Sequence, residues 1–348
     1  MMTVYTGINV PYGAMLGVMT DDTNEKTVFS SFRMFFAYCG SFIALFIWEP
    51  LTNALGGYMS TDGWFWAMVC VASACFVMFI ISFLLTKEHL KGVSTVSVGS
   101  DFKSLLDNKP WWILIGAALC SNLFNTVRGA TVAYFFLDII GPNVSLSFFG
   151  IMFLFYSGLF LGVGEVANMA GVALCVPIAS KLGKKTTFIF VNAALVVLSI
   201  AFFFVPCTPL GFWMMLILQV VISIFTGVMS PLIWSMYADV SDYAELKFRT
   251  ASTGLIFSSA SMAQKFGGAI SGAAVLWLLS AFGYITDAAQ LEAGAVQPES
   301  ALMALRWLMS FIPAAVAALA MVVVWFYPLT RKRVHEISNE LKKIRSIE

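Results

Sequence analysis

Apolar residues in this chain come in long, nearly unbroken runs separated by short polar stretches. They follow neither the alternation of a strand nor the one-sided spacing of a half-buried helix. About 20 apolar residues cross the hydrocarbon core of a bilayer as a helix. On that measure the pattern predicts nine membrane helices, over roughly 3–20, 28–50, 64–86, 111–137, 148–180, 187–205, 211–237, 254–285 and 301–327. The fifth and eighth exceed what one crossing needs, so they are expected to tilt or break; the fifth carries Gly162, Gly164 and Gly171 and ends near Pro177. Beyond the last run, Val334, Ile337, Leu341 and Ile344 share one face among charges. Two readings stand for 331–348: a short amphipathic helix on the cytoplasmic membrane surface, or a solvated polar tail.

Composition agrees. Hydrophobic residues make up 59% and charged residues 11% of 348, against about 25% charged in soluble domains. This is an all-α, multi-pass membrane protein. The net charge of +1 says nothing about partners, but the chain has no basic patch of the kind a nucleic-acid partner requires. The two His and six Cys show no metal-ligand spacing, and neither a resident cofactor nor enzymatic chemistry is expected. Five of the cysteines (39, 70, 75, 120 and 175) lie inside apolar runs, which predicts buried, inert thiols.

Lys and Arg are confined to alternate connections. They occur around Lys26, Lys87–Lys109, Lys181–Lys185, Lys247–Arg249 and in the tail from Arg331, whereas 51–63, 138–147, 206–210 and 286–300 contain none. Positive loops stay inside, so the C-terminus is cytoplasmic and the chain sits in the cell (inner) membrane. The longest cytoplasmic connection divides the runs three before and six after. The expected organisation is 1–86 (three helices of an N-terminal half), 87–110 (central cytoplasmic loop), 111–327 (six-helix C-terminal half) and 328–348 (tail). Transporters are commonly built from repeated three-helix units, so three plus six suggests six plus six lacking its first unit, through truncation or a mis-assigned start.

Charges inside the runs carry the candidate chemistry, because an intramembrane ionisable residue marks a functional site by default. Lys265 lies about three turns into its run, too deep to reach the interface easily by snorkelling. Tyr5 and Asn9 share a helix face, with Thr6 between them and Pro11 just beyond. Arg33 either hydrogen-bonds a polar ligand or snorkels to the interface. Asn125 and Arg128 share a face and serve either a ligand or the contact between halves. Glu165, the one carboxylate well inside a run, is either a proton or cation site or the structural partner of Arg128 or Lys265. Asp239, Asp242 and Glu245, with Lys247 and Arg249, are either a salt-bridged cytoplasmic latch or an ordinary polar loop.

The run D-x-x-D-Y-x-E-x-K (Asp239, Asp242, Tyr243, Glu245, Lys247) is followed eighteen residues later by Lys265 in KFGGA. With NVPYGAMLGVMTDD (9–22), SSFRMFFAYCG (30–40), NKPWW (108–112), SKLGKK (180–185), LRWLMSFIPA (305–314) and FYPLTRKRVHEI (326–337), it resembles the glycoside–pentoside–hexuronide:cation symporter family, the melibiose-permease type within the major facilitator superfamily. The resemblance runs from the family's fourth helix to its twelfth.

It implies a major-facilitator fold, nine of twelve helices, and alternating-access symport of a sugar, glycoside or hexuronide with sodium or a proton. It also implies Tyr5, Asn9 and Arg33 at substrate; Asn125 and Arg128 are added to them from their shared face inside a run, not from the resemblance. Thr6 and Lys265 would link to the cation, and Asp239, Asp242 and Glu245 would form the cytoplasmic gate. The chain departs from the melibiose permease at Asn9, where that protein has aspartate, and at Gly13, where it has tryptophan. The family's cation-binding aspartates lie on helices one and two, which precede the matched stretch. The competing expectations are a fragment that transports nothing and a symporter of a non-sugar organic solute. Substrate identity and oligomeric state stay open.

Overall fold

The structure, a computed structural model, describes residues 7–8, 11–16, 19–20, 22–56, 60–85, 103–141, 144–148, 151–155, 157–248, 253–286 and 296–345. Its helices are α1 (11–16), α2 (Thr23–Ala54), α3 (Thr61–Leu85), α4 (Lys109–Phe135), α5 (Ser157–Leu182), α6 (Lys184–Phe203), α7 (Pro209–Phe248), α8 (Thr253–Ala281), α9 (Glu299–Met309), α10 (Phe311–Trp325) and α11 (Arg331–Arg345). Among the described residues, seven helical stretches are long and apolar enough to cross a membrane. Beside them stands the more polar 32-residue α2. Of the first expected span, 3–20, the structure describes residues 7–8, 11–16 and 19–20.

Local sequence sets the helix starts. Asp22 caps α2, its carboxylate accepting from the Asn24 amide at 2.6 Å. Asn108 caps α4, accepting from the Trp111 amide at 3.3 Å, with Pro110 in the first turn where its missing N–H is no loss. In SKLGKK, Gly183 takes φ +84, a left-handed conformation that suits glycine. The turn lets α6 restart at once from the end of α5.

Three boundaries differ from the apolar-run reading. The fifth span begins at Ser157, not 148. Residues 144–148 and 151–155 form a two-stranded antiparallel hairpin, with Val144 opposite Phe155 and Leu146 opposite Phe153. Val-Ser-Leu-Ser-Phe alternates apolar and polar with period two, the strand signal that run length overlooks. The seventh helix does not stop at 237 but continues to Phe248, so the acidic cluster is helical rather than a loop. The ninth span is two helices broken at Ser310 (φ −130, ψ −81).

The core is built around α7, which packs against α2, α5, α6 and α11, while α4 packs against α8 and α10. Helices α5 and α7 cross at glycines. A β-carbon on Gly171 would fall 2.0 Å from the Ile224 carbonyl oxygen, and one on Gly227 would fall 2.2 Å from that of Asn168. Small residues allow this close approach, the usual basis of helix association in lipid. Helix α3 buries only Gly63 and Ala67 and presents residues such as Phe76, Met78 and Phe83 outward, as a lipid-facing span does. Cys70 and Cys75 lie on that exposed helix, so the expectation of uniformly buried thiols fails there; Cys120 and Cys175 are buried. The tail is resolved in favour of a helix, but its apolar face docks on protein: Val334, Ile337 and Leu341 are buried in the same core cluster as Met236 and Val240 of α7.

Candidate functional site

Two adjoining cavities of about 230 Å³ and 270 Å³ lie among α2, α4, α5, α7 and α8. They share Tyr38, Asn122, Asn125, Ser230 and Gln264 as walls, which makes them two lobes of one polar space. Arg128, Glu165, Asn168, Gln219 and Thr226 line the larger lobe, and Trp234 and Tyr237 the smaller. Amides, hydroxyls, a guanidinium and a carboxylate in one cavity offer donors and acceptors in many directions, with aromatic faces beside them.

The glycine crossing of α5 and α7 sets part of this geometry, bringing Thr226 Oγ1 to donate to Asn168 Oδ1 at 2.8 Å. Arg128 is 5% exposed. It donates to the Met309 carbonyl at 2.6 Å and to Gln219 Oε1 at 2.7 Å, with its guanidinium 5.1 Å from the Phe202 ring centre. Its role is thus partly structural, and it lines the cavity as well. Asn125 does too, its amide donating to the Ser121 carbonyl at 3.2 Å.

Arg33 stands between two rings, its guanidinium carbon 4.9 Å from the Tyr12 centroid and 4.5 Å from that of Trp234. Trp234 in turn stacks on Phe257 at 14°. The snorkelling alternative is therefore replaced by an inward cation–π clamp. Glycine at 13 belongs to this clamp, since a β-carbon there would already lie 3.6 Å from both Arg33 Nη1 and a Phe257 ring carbon. A tryptophan at 13 would require the clamp to rearrange.

Lys265 is exposed on α8, next to the cavity-lining Gln264. Glu165 makes no ion pair with Arg128 or Lys265 among the described residues, so the structural-pairing expectation for it is not met. Tyr5, Thr6, Asn9 and Arg249 lie outside the described residues.

The basic-loop end is closed by buried charge. Lys26, 1% exposed, pairs with Asp242. Lys184 pairs with Asp239 through both carboxylate oxygens at 2.8 and 2.7 Å. Lys185 caps the end of α10 by donating to the Trp325 and Tyr327 carbonyls at 2.7 and 2.8 Å. The Tyr327 hydroxyl, buried and close to Asp239 and Tyr237, is held well above its ordinary titration range, chiefly by desolvation. Asp239 therefore ties α7 to α6, whereas Asp242 ties α7 to α2. Glu245 is half-buried one turn further on.

From Lys26 a polar ladder runs up the α2–α7 contact. Thr27 and Ser235 hydroxyls share a bond of 2.9 Å, Ser30 donates to the Pro231 carbonyl at 2.7 Å, and Tyr38 and Ser230 share one of 2.8 Å. The sequence reading missed Lys26, Tyr38, Asn168, Gln219, Thr226, Ser230 and Gln264. The amides Asn168, Gln219 and Gln264 inside apolar runs were the available signal.

A family model described as MFS/sugar transport protein matches residues 1–331. The chain belongs to this family. Among the relatives of this MFS/sugar transport protein is one named "Putative glycoside/cation symporter YagG" of Escherichia coli K12, 30% identical over 99% of this chain and 71% of its own length. Another is the "Glucuronide carrier protein homolog" of the same organism, 27% identical over 99% of this chain and 71% of the relative. Among solved structures, FucP in the outward conformation superposes with TM-score 0.64 at 14% identity, covering 92% of this chain and 72% of that one, which shows a shared fold. The relatives are transporters rather than enzymes, and the protein is a multi-pass membrane transporter of the major-facilitator fold.

Proposed function

We propose that this MFS/sugar transport protein moves a sugar, glycoside or hexuronide together with a cation, sodium or proton, by alternating access across a bacterial inner membrane, its C-terminus cytoplasmic. The observation that carries this reading is the polar cavity closed on its basic-loop side by Lys26–Asp242. The cavity suits a polyhydroxylated solute: Asn122, Asn125, Arg128, Gln219 and Gln264 present amide and guanidinium donors, and Trp234 presents a ring face. Relatives named as a putative glycoside/cation symporter and a glucuronide carrier protein homolog support the solute class.

Substrate contact is assigned to Arg33, Asn125 and Arg128 with Tyr5 and Asn9, and the cation link to Thr6 and Lys265. Asp242, with Asp239 and Glu245, forms the gate. No cofactor takes part beyond the coupling ion. The organisation proposed is 1–86, 87–110, 111–327 and 328–348, the first and third units rocking about the cavity.

The test is uptake of labelled glycosides and hexuronides by cells expressing the chain, with sodium and pH gradients imposed separately. Cation-driven accumulation is expected, and Lys265→Ala should abolish it while the protein still reaches the membrane. Coupled uptake that survives this substitution would remove Lys265 from the mechanism. No gradient-driven uptake of any of these solutes would sink the transport reading.

A further inference from the structure

Glu165 is the group in the cavity that the ion pairs leave over. It lies eight residues (165 − 157) into α5, about 12 Å along the axis from its start. Its Oε2 is shielded from solvent and has no hydrogen-bond partner among the described residues. Asn168, one turn on, reaches the carboxyl. Among the described residues, the charged and titratable groups around it are few. Helix α2 contributes Tyr38, whose hydroxyl is shared with Ser230. Helix α4 contributes Arg128, which spends its two terminal nitrogens on Met309 and Gln219. Helix α7 contributes only neutral groups between Gln219 and Ser230, and α8 the neutral Gln264, with Lys265 exposed beside it. Helix α6 brings Lys184 and Lys185 only at its opposite, basic-loop end.

An ionised carboxylate held half-buried in this way, with one oxygen dry and no cation in contact among the described residues, is more costly than a neutral acid in the same place. A protonated acid can also donate its O–H to an arriving acceptor, which an anion cannot. We propose that Glu165 is the proton-binding group of the cavity, protonated while the basic-loop end is closed and releasing H⁺ as the cavity is rehydrated or refilled. The proposal rests on the cavity being the transport path, and it commits the coupling ion to the proton.

The experiment is infrared difference spectroscopy on the purified full chain in lipid, stepped between high and low pH with no transported solute present. A protonated-carboxyl band that titrates in the wild type, is lost in Glu165→Gln and is displaced in Glu165→Asp is the expected result. The same band persisting in Glu165→Gln overturns the proposal. So does an undisplaced band in Glu165→Asp, which decides the matter if the glutamine variant fails to fold. Discharge of the band by sodium chloride at constant pH also overturns it, because the carboxylate would then be a sodium ligand. Because no solute enters, a titrating Glu165 in a chain that takes nothing up would sink the transport reading alone. Coupled uptake without the band would sink this proposal alone.

Discussion

Pro313 has no amide hydrogen, so the carbonyl four residues earlier, that of Met309, loses its helical partner. Arg128 supplies a donor from α4 at 2.6 Å, across the break that splits the ninth span. A charged hydrogen bond of this kind is worth about 1.5–3 kcal/mol. Arg128→Ala is expected to destabilise the protein by that order, measured as a fall in thermal midpoint in detergent. Replacing Pro313 with Ala restores the missing N–H, so Arg128→Ala should cost clearly less in that background; equal costs in both would separate the two residues. Arg33, Asn125, Arg128 and Glu165 were legible in the sequence because charge or amide inside an apolar run stands out. Tyr38, Thr226 and Ser230 were not, since hydroxyls are common in membrane helices and only the fold decides which of them face a cavity.

At the level of elements, the crossing of α5 and α7 rests on backbone touching backbone. Gly227→Leu should force the two helices apart, costing about 3 kcal/mol or more, seen as loss of a monodisperse folded peak. Gly272→Ala, where a β-carbon meets nothing within 4 Å, should be tolerated; equal behaviour of the two variants would refute the tight crossing. Run length located most helices well because bilayer thickness sets it; 187–205, for instance, appears as Lys184–Phe203. It failed where something else decides. The extension of α7 past 237 exists because Asp239 and Asp242 meet Lys184 and Lys26, 55 and 216 residues away in sequence. No local window contains those partners.

In the whole molecule, Lys26–Asp242 joins α2 to α7, and hence the proposed first unit to the third. Removing one member of a buried pair costs about 3–5 kcal/mol, and each 1.4 kcal/mol is tenfold in an equilibrium. Asp242→Ala should therefore shift the population toward opening on the basic-loop side by at least about 100-fold, read as longer distances between spin labels placed there. The exchanged pair Lys26→Asp with Asp242→Lys should restore most of the closure. Unchanged distances in Asp242→Ala would dismiss the latch.

The ladder above that latch, at Thr27–Ser235, Ser30–Pro231 and Tyr38–Ser230, is made of groups that water can satisfy as well as they satisfy each other. Parting an apolar seam would expose hydrocarbon; parting this one recruits solvent molecules, each able to replace a rung at little net cost. Opening on this side is then a hydration reaction, and water activity becomes one of its ligands. Osmolytes too large to enter the seam should hold the closed form in proportion to their concentration, visible as progressive narrowing of the same label distances.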